Sequence, residues 1–319
     1  MPPNMDMTRR ALLRAGGIAG GLAATTPLLT GTAAAAGTAA AGTAVSAEPL
    51  PVGEIESIIK IQGAVSDGVL NLQIVRGDIP NVTKDGVPIK PPFEINGNIS
   101  FQSYRGGVMM NGGLCFKASE IDRAIDAIMN HGLVWQAQHQ HLFGLNPMVW
   151  FMHFRGHGPA HRIAEGCAAI LAATSTPLPQ APSANATTPL NVRRLESIIG
   201  APATVGSDGV VSFQIPRREQ IILGGVPISP YLNVSTTVDF EPLGGGTAAV
   251  VPDFGMVSDE VDSVARVMRR QGWQIDCLYN QETDEYPQLY FSHQFKVGNA
   301  YQLAAEVRRG LERTNVILS

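Results

Sequence analysis

The sequence predicts an α+β protein built as two tandem copies of one helix and antiparallel-sheet unit, related by pseudo-symmetry. Three observations lead there: an internal repeat, a change of apolar period inside each copy, and a Pro-rich connector between the copies. The repeat is the strongest. "IESII" at Ile55–Ile59 returns as "LESII" at Leu195–Ile199, "SDGV" at Ser66–Val69 returns at Ser207–Val210, and "GVPI" at Gly86–Ile89 returns at Gly225–Ile228. Further on, Glu120, Asp122, Gly132, Pro147, Phe151, His153 and Gly158 each recur 140 residues later, as Glu260, Asp262, Gly272, Pro287, Phe291, His293 and Gly298. Two long units make a duplicated domain rather than a solenoid.

The organisation read from this is a leader at 1–44, a first repeat at 50–172, a linker at 173–190 and a second repeat at 191–319. Within each repeat a short helix carrying ESII opens the unit. Strands follow, separated by the Asp-Gly turns of "SDGV" and "DGVPI". "SEIDRAIDAIMNHG" then shows helical period, with Ile121, Ala124, Ile125 and Ile128 on one face, Ser119 and Asp122 at its start and Gly132 as its stop. Two strands joined through a Pro-containing turn come next, then a closing helix near 160–173 and 299–314. The linker "AATSTPLPQAPSANATTPL" is rich in Pro, Ser, Thr and Ala, a composition suited to a flexible or polyproline-like tether.

The leader reads as an address. Arg9 and Arg10 precede a modest Gly/Ala-rich apolar stretch to Leu29, and Ala-rich cleavage territory runs from Ala33 to Ala44. That order is a signal peptide of twin-arginine type, placing the mature chain in the periplasm, the cell envelope or outside the cell. No cysteine follows the stretch to take a lipid, and no later apolar run is long enough to span a bilayer, so no transmembrane anchor is expected after cleavage. Cys115, Cys167 and Cys277 are too few and too widely spaced for a disulfide framework. Removing Arg9, Arg10, Arg14 and Asp6 from 23 basic and 27 acidic residues leaves 20 against 26, a net charge of −6 with neutral histidines. Such a surface argues against nucleic acid as a partner, which calls for a basic stripe.

Chemistry concentrates in "HQHLFGLNPMVWFMHFRGHGPAH", which holds His139, His141, His153, His157 and His161 of seven histidines in all. The second copy keeps only His293, matching His153. His139 and His141, two apart on an expected strand, point to one face and can share a borderline metal such as zinc, copper, nickel or iron. Hydrogen bonding to a small ligand and plain packing are the competing readings. The third metal ligand is His153 or His157. With a four-residue turn at Gly144–Pro147 the register sum is 291 and His153 faces away; one more residue makes it 292 and sets His139 opposite His153. His157, His161 and Glu165, spaced by four, offer another route, with Glu165 as candidate base. The matched Glu120, Asp122, Glu260 and Asp262 fit helix starts and read as structural. No nucleophile elbow, P-loop or dinucleotide fingerprint is present. Trp135, Trp150, Trp273, Tyr279 and Tyr290 are a candidate sugar-stacking platform or core.

The helix "SEIDRAIDAIMNHG", the H-x-H pair and the closing "FMHFRGHG" together resemble the LppY/LpqO-type family of bacterial exported proteins, a tandem domain of unknown function. The resemblance runs from about Leu50 to Leu318 and rests on His139, His141, Pro147, Phe151, His153 and Phe154. Gln140 replaces the usual Asn, Met148 the usual Arg after the proline, and Leu145 and Asn146 an acidic pair. The resemblance implies an envelope location and no established reaction. Two functions remain in competition: an exported binder of a metal ion or small ligand at the first-repeat hairpin, with zinc a possible cofactor, and a non-catalytic envelope module that binds glycan or protein.

Overall fold

Alternating apolar residues on Asp-Gly-punctuated strands produce two large antiparallel sheets, one per repeat. The computed structural model describes residues 49–183 and 186–319; the leader at 1–44, expected to carry an export signal, lies outside them. In the first repeat α1 (Val52–Ile59) leads into β1 (Ala64–Ser66), β2 (Val69–Val75), β3 (Thr83–Lys84), β4 (Val87–Pro88), α2 (Pro91–Glu94), β5 (Asn96–Tyr104) and β6 (Gly107–Phe116). Then come α3 (Ile121–Asn130), β7 (Val134–His139), β8 (Leu145–Asn146), β9 (Trp150–Gly158) and α4 (Ala160–Ala172).

The second repeat retraces this with α5 (Val192–Ile199), β10 (Ala203–Val205), β11 (Val211–Ile215), β12 (Ile221–Leu223), β13 (Val226–Ile228), β14 (Thr236–Gly244) and β15 (Thr247–Met256). It closes with α6 (Ser258–Arg270), β16 (Gln274–Ile275), β17 (Glu285–Tyr286), β18 (Tyr290–Asn299) and α7 (Ala300–Leu311). The two six-stranded sheets have equivalent orders, β1-β2-β5-β6-β9-β7 and β10-β11-β14-β15-β18-β16. The α+β class and the duplication therefore stand as expected.

Each sheet buries one face under its own helices: Leu70, Leu72, Ile99, Phe101 and Phe154 pack with α1, α3 and α4 residues, and Phe213, Phe240 and Phe254 do the same beneath α5, α6 and α7. Strand residues alternate between faces, so the opposite faces need cover too. They find it in each other. First-repeat residues Phe93, Leu142 and Phe151 share one core with Val210, Val251 and Phe295 of the second. In return, second-repeat residues Leu223, Leu232 and Phe291 share another with Val69 and Met109 of the first. The result is a helix–sheet–sheet–helix stack in which each repeat lays an arm, held by a small three-stranded sheet (β4-β3-β8 or β13-β12-β17), over its twin. Residues 45–319 form one compact unit.

Matched ion pairs brace the scaffold. Arg76, 1% exposed, binds Glu120 at 2.9 Å and Asp78 at 2.8 Å, and Arg217 repeats this with Glu260 at 2.7 Å and Glu219 at 2.9 Å. Glu120 also accepts the Lys117 N–H at 2.8 Å, so the helix start is closed by Glu120 rather than by Ser119 and Asp122. The connector is anchored at Gln180, whose side chain bonds both the N–H and the C=O of Val75 and whose backbone bonds Lys60 and Gln62. Among the described residues no helix is long and apolar enough to cross a membrane.

Candidate metal centre

The inner faces of the two sheets carry polar rows as well as the shared cores. On the second sheet Ser212 faces Asp239, Asp253 lies on the same face two residues beyond Asp239's partner Val251, and His293 faces Asp253. Onto this row the first repeat lowers α2, ending in Glu94, and the segment after β7 that carries His141. His139 ends β7 opposite Phe151 of β9. The register sum there is 290, reached through a bulge between Trp135 and Ala137, and the connection runs from 140 to 149, so neither expected register forms. An even sum nevertheless puts His139 and His153 on one face. His141 lies past the strand end.

These elements bring His139 and His141 of the first repeat to His293 of the second, with one nitrogen of each within 4.8 Å of the others. The His141 ring stacks between Phe151 at 3.3 Å and His293 at 3.7 Å between centroids, and Tyr279 stacks on His139 at 3.6 Å. Nδ1 of His141 is 3.3 Å from a Glu94 carboxylate oxygen; Nδ1 of His293 is 3.3 Å from the Cys277 sulfur and 3.6 Å from Asp253. Both His139 nitrogens, Nε2 of His141, Oδ1 of Asp253 and the Tyr279 hydroxyl are buried without a hydrogen-bond partner. Buried polar atoms are almost always paired, so this clustering is unusual.

Burial sets the electrostatics. Desolvation, joined by the neighbouring imidazoles, holds His139 and His141 far below the usual histidine range and His293 down to about 3. All three are neutral, the state that ligates metal. Desolvation followed by mutual repulsion raises Asp253 to about 8 and Glu94 well above its ordinary value, and burial raises Asp239 to about 7. At the chamber's edge the fully buried Lys84 pairs with the fully buried Asp276 at 3.2 Å across the two repeats. Neutral imidazoles surrounded by carboxylates that burial disfavours are a cavity suited to a positive charge.

The duplication supplies a second chamber, in which amides and a hydroxyl pair with one another and with Glu282, while the Tyr279 hydroxyl and Nε2 of His153 stay unpaired. At offsets of 139 and 140, Tyr279 stands for His139, Gln281 for His141, His153 for His293, Asn233 for Glu94, Ser100 for Asp239, and Gly113 for Asp253. The Asn233 amide oxygen receives Asn98 at 2.7 Å and lies 2.9 Å from the Ser100 hydroxyl, while its NH2 bonds the Asn111 carbonyl at 2.9 Å. Glu282 accepts from Asn111 at 2.7 Å, from Gln281 at 3.0 Å and from Gln136.

A family model described as a domain of unknown function, DUF1259, matches residues 53–173 and again 193–313. The chain belongs to the DUF1259 family. No curated protein matches it. Among solved structures, a trimeric bacterial microcompartment shell protein PduB aligns at 10% identity over 82% of this chain and 97% of that one, with a TM-score of 0.20, too slight an agreement to bear on fold or function.

In this DUF1259 protein the histidines singled out by sequence separate. His139 and His141 converge. His153 lies beside them, 5.1 Å from His139 between ring centroids, but its ring covers Gly113 in the other chamber. His157 is exposed, edge-on to Tyr104. His161 pairs with Glu54 and Glu165 on the helix surface, away from the chamber. Trp273 is core, its indole donating to Glu306 at 2.8 Å, so no aromatic platform forms around it. Cys115 and Cys167 are buried with pKa values pushed up by desolvation, as inert thiols should be. Sequence reasoning missed His293, Glu94 and Asp253 as site residues, and read Tyr279 as a candidate sugar-stacking or core residue. For His293 a signal existed, since it recurs at the His153 position; the carboxylates gave none.

Proposed function

We propose that this DUF1259 protein binds a divalent transition metal, zinc being one candidate, between its two repeats, with His139, His141 and His293 as ligands. The observation that carries this reading is the convergence of three neutral imidazoles, with both nitrogens of His139 and Nε2 of His141 buried and without a protein partner. Ligation at ~2.0–2.1 Å needs the nitrogens roughly 3.4 Å apart. Rotation of the stacked rings would close that gap. Three protein ligands leave a fourth position for water or a small ligand.

The twin-arginine leader supports export before function, and the motif likeness supports a place within the LppY/LpqO-type group. His153 and His157 stand outside the ligand set in this reading. Elemental analysis of the mature protein, purified without a histidine tag, tests it. Near-stoichiometric metal, lost in His139→Ala/His141→Ala of equal stability, is the expected result. An empty wild-type protein, even after reconstitution with zinc, copper, nickel or iron, would sink the reading and leave the glycan- or protein-binding envelope module.

A further inference from the structure

Resting on that metal reading, we infer that Glu94 and Asp253 are positioning residues for the metal. They orient His141 and His293 so that Nδ1–H points to a carboxylate and Nε2 to the ion. Histidine ligands usually donate their second ring nitrogen to a carboxylate or carbonyl, which fixes the tautomer and raises ligand basicity. Here the Glu94 carboxylate is 3.3 Å from Nδ1 of His141, its one side-chain hydrogen bond among the described residues. Nε2 of the same ring is buried and unpaired, facing the chamber. Asp253 stands opposite His293 on the neighbouring strand, 3.6 Å from Nδ1. The Cys277 sulfur approaches that nitrogen at 3.3 Å, but it already accepts the His293 backbone N–H at 3.3 Å, and burial keeps it a neutral thiol, a weaker acceptor than a carboxylate.

Two facts argue against a merely structural role for the pair. Both acids are buried, and Oδ1 of Asp253 has no hydrogen-bond partner, so they cost stability in the empty chamber. The duplication also removes both where the histidine pair is absent: Asn233 replaces Glu94 and Gly113 replaces Asp253 in a chamber that folds equally well. The two acids come from different repeats, so each repeat would steer the metal from its own side.

The test compares full-length mature wild type with Glu94→Gln and Asp253→Asn. Zinc affinity is read by competition with a chromophoric chelator, cobalt(II) coordination by its visible spectrum, and metal-free stability by urea unfolding. Each variant should bind zinc about 10–100-fold more weakly, with an altered cobalt spectrum, while its metal-free stability equals or exceeds that of wild type. Zinc affinity within twofold and a wild-type cobalt spectrum in both variants would overturn the positioning roles. So would a loss of affinity that only tracks lost metal-free stability. Wild type that takes up neither metal overturns the underlying reading as well, and is read on wild type alone, so the two failures stay distinct.

Discussion

The two chambers between the sheets began as equivalent places and now differ in nearly every polar residue. One gathers His139, His141, His293, Glu94, Asp239 and Asp253 and leaves several of their atoms unpaired. The other holds Tyr279, Gln281, His153, Asn233, Ser100 and Gly113; its amides and the Ser100 hydroxyl close a hydrogen-bonded network around Glu282, with the Tyr279 hydroxyl and Nε2 of His153 left outside it. The scaffold around them has not diverged in this way, since the buried Arg76 and Arg217 clusters are the same in both halves. A fold that tolerates either chamber does not need the histidine-lined one for packing.

The largest effect expected from this comparison is on metal content. His293→Ala should abolish stoichiometric metal, as His139→Ala/His141→Ala does, whereas His153→Ala, altering its counterpart, should leave metal content near wild type by elemental analysis. Equal losses from both would erase the distinction between the chambers.

Next in size is the shared scaffold. Arg76→Ala leaves the buried Glu120, and Arg217→Ala the partly buried Glu260, without its main partner, and each should cost about 3 kcal/mol in urea unfolding. Costs differing severalfold would show that the halves are not equally braced.

A pH effect probes the glutamates beside the second chamber. Burial, with Glu282 adding repulsion, raises Glu285 to about 8, and burial raises Glu282 to about 7. Both acids therefore hold protons in the folded state that the unfolded chain has released above its ordinary pKa of about 4.3. Their stabilisation is full below that value and fades as pH rises through 7–8, so metal-free protein should lose stability steadily between pH 5 and 8. Glu285→Gln should flatten that slope; an unchanged slope assigns it to other groups.

Smallest is a steric contrast. A Cβ on Gly113 would meet the His153 ring at 2.9 Å, while its counterpart Asp253 stands beside a ring turned elsewhere. Gly113→Ala should cost about 1–2 kcal/mol by thermal or urea unfolding. No cost would mean that the His153 ring moves freely and that its separation from the metal chamber is not enforced.

Much of the scaffold was legible in advance. The 140-residue register of Glu120, Gly132 and Phe151 with Glu260, Gly272 and Phe291 predicted two like units, and the helical periods placed the closing helices close to their ends. The site was half legible. His139 and His141 stood out because two imidazoles at i and i+2 suit ligation, yet their partner was sought in the same hairpin. The connection proved longer than four residues because β8 leaves to pair with β3, and a bulge shifts β7 against β9. Those are pairing outcomes that a one-residue slip can reverse, and no local pattern encodes them.

The sequence by itself determined the two-copy α+β architecture, the alternation that gives each sheet one helix-covered face, and the concentration of histidines in the first copy. These follow from side-chain periodicity and backbone turn chemistry, which act within a few residues. Only the tertiary structure decided that the sheets stack face to face with exchanged arms, and therefore that His293, Glu94 and Asp253 meet His139 and His141. That outcome depends on which apolar inner faces find cover in each other. Such burial is non-directional and long-range, and it leaves its mark in space rather than in spacing along the chain.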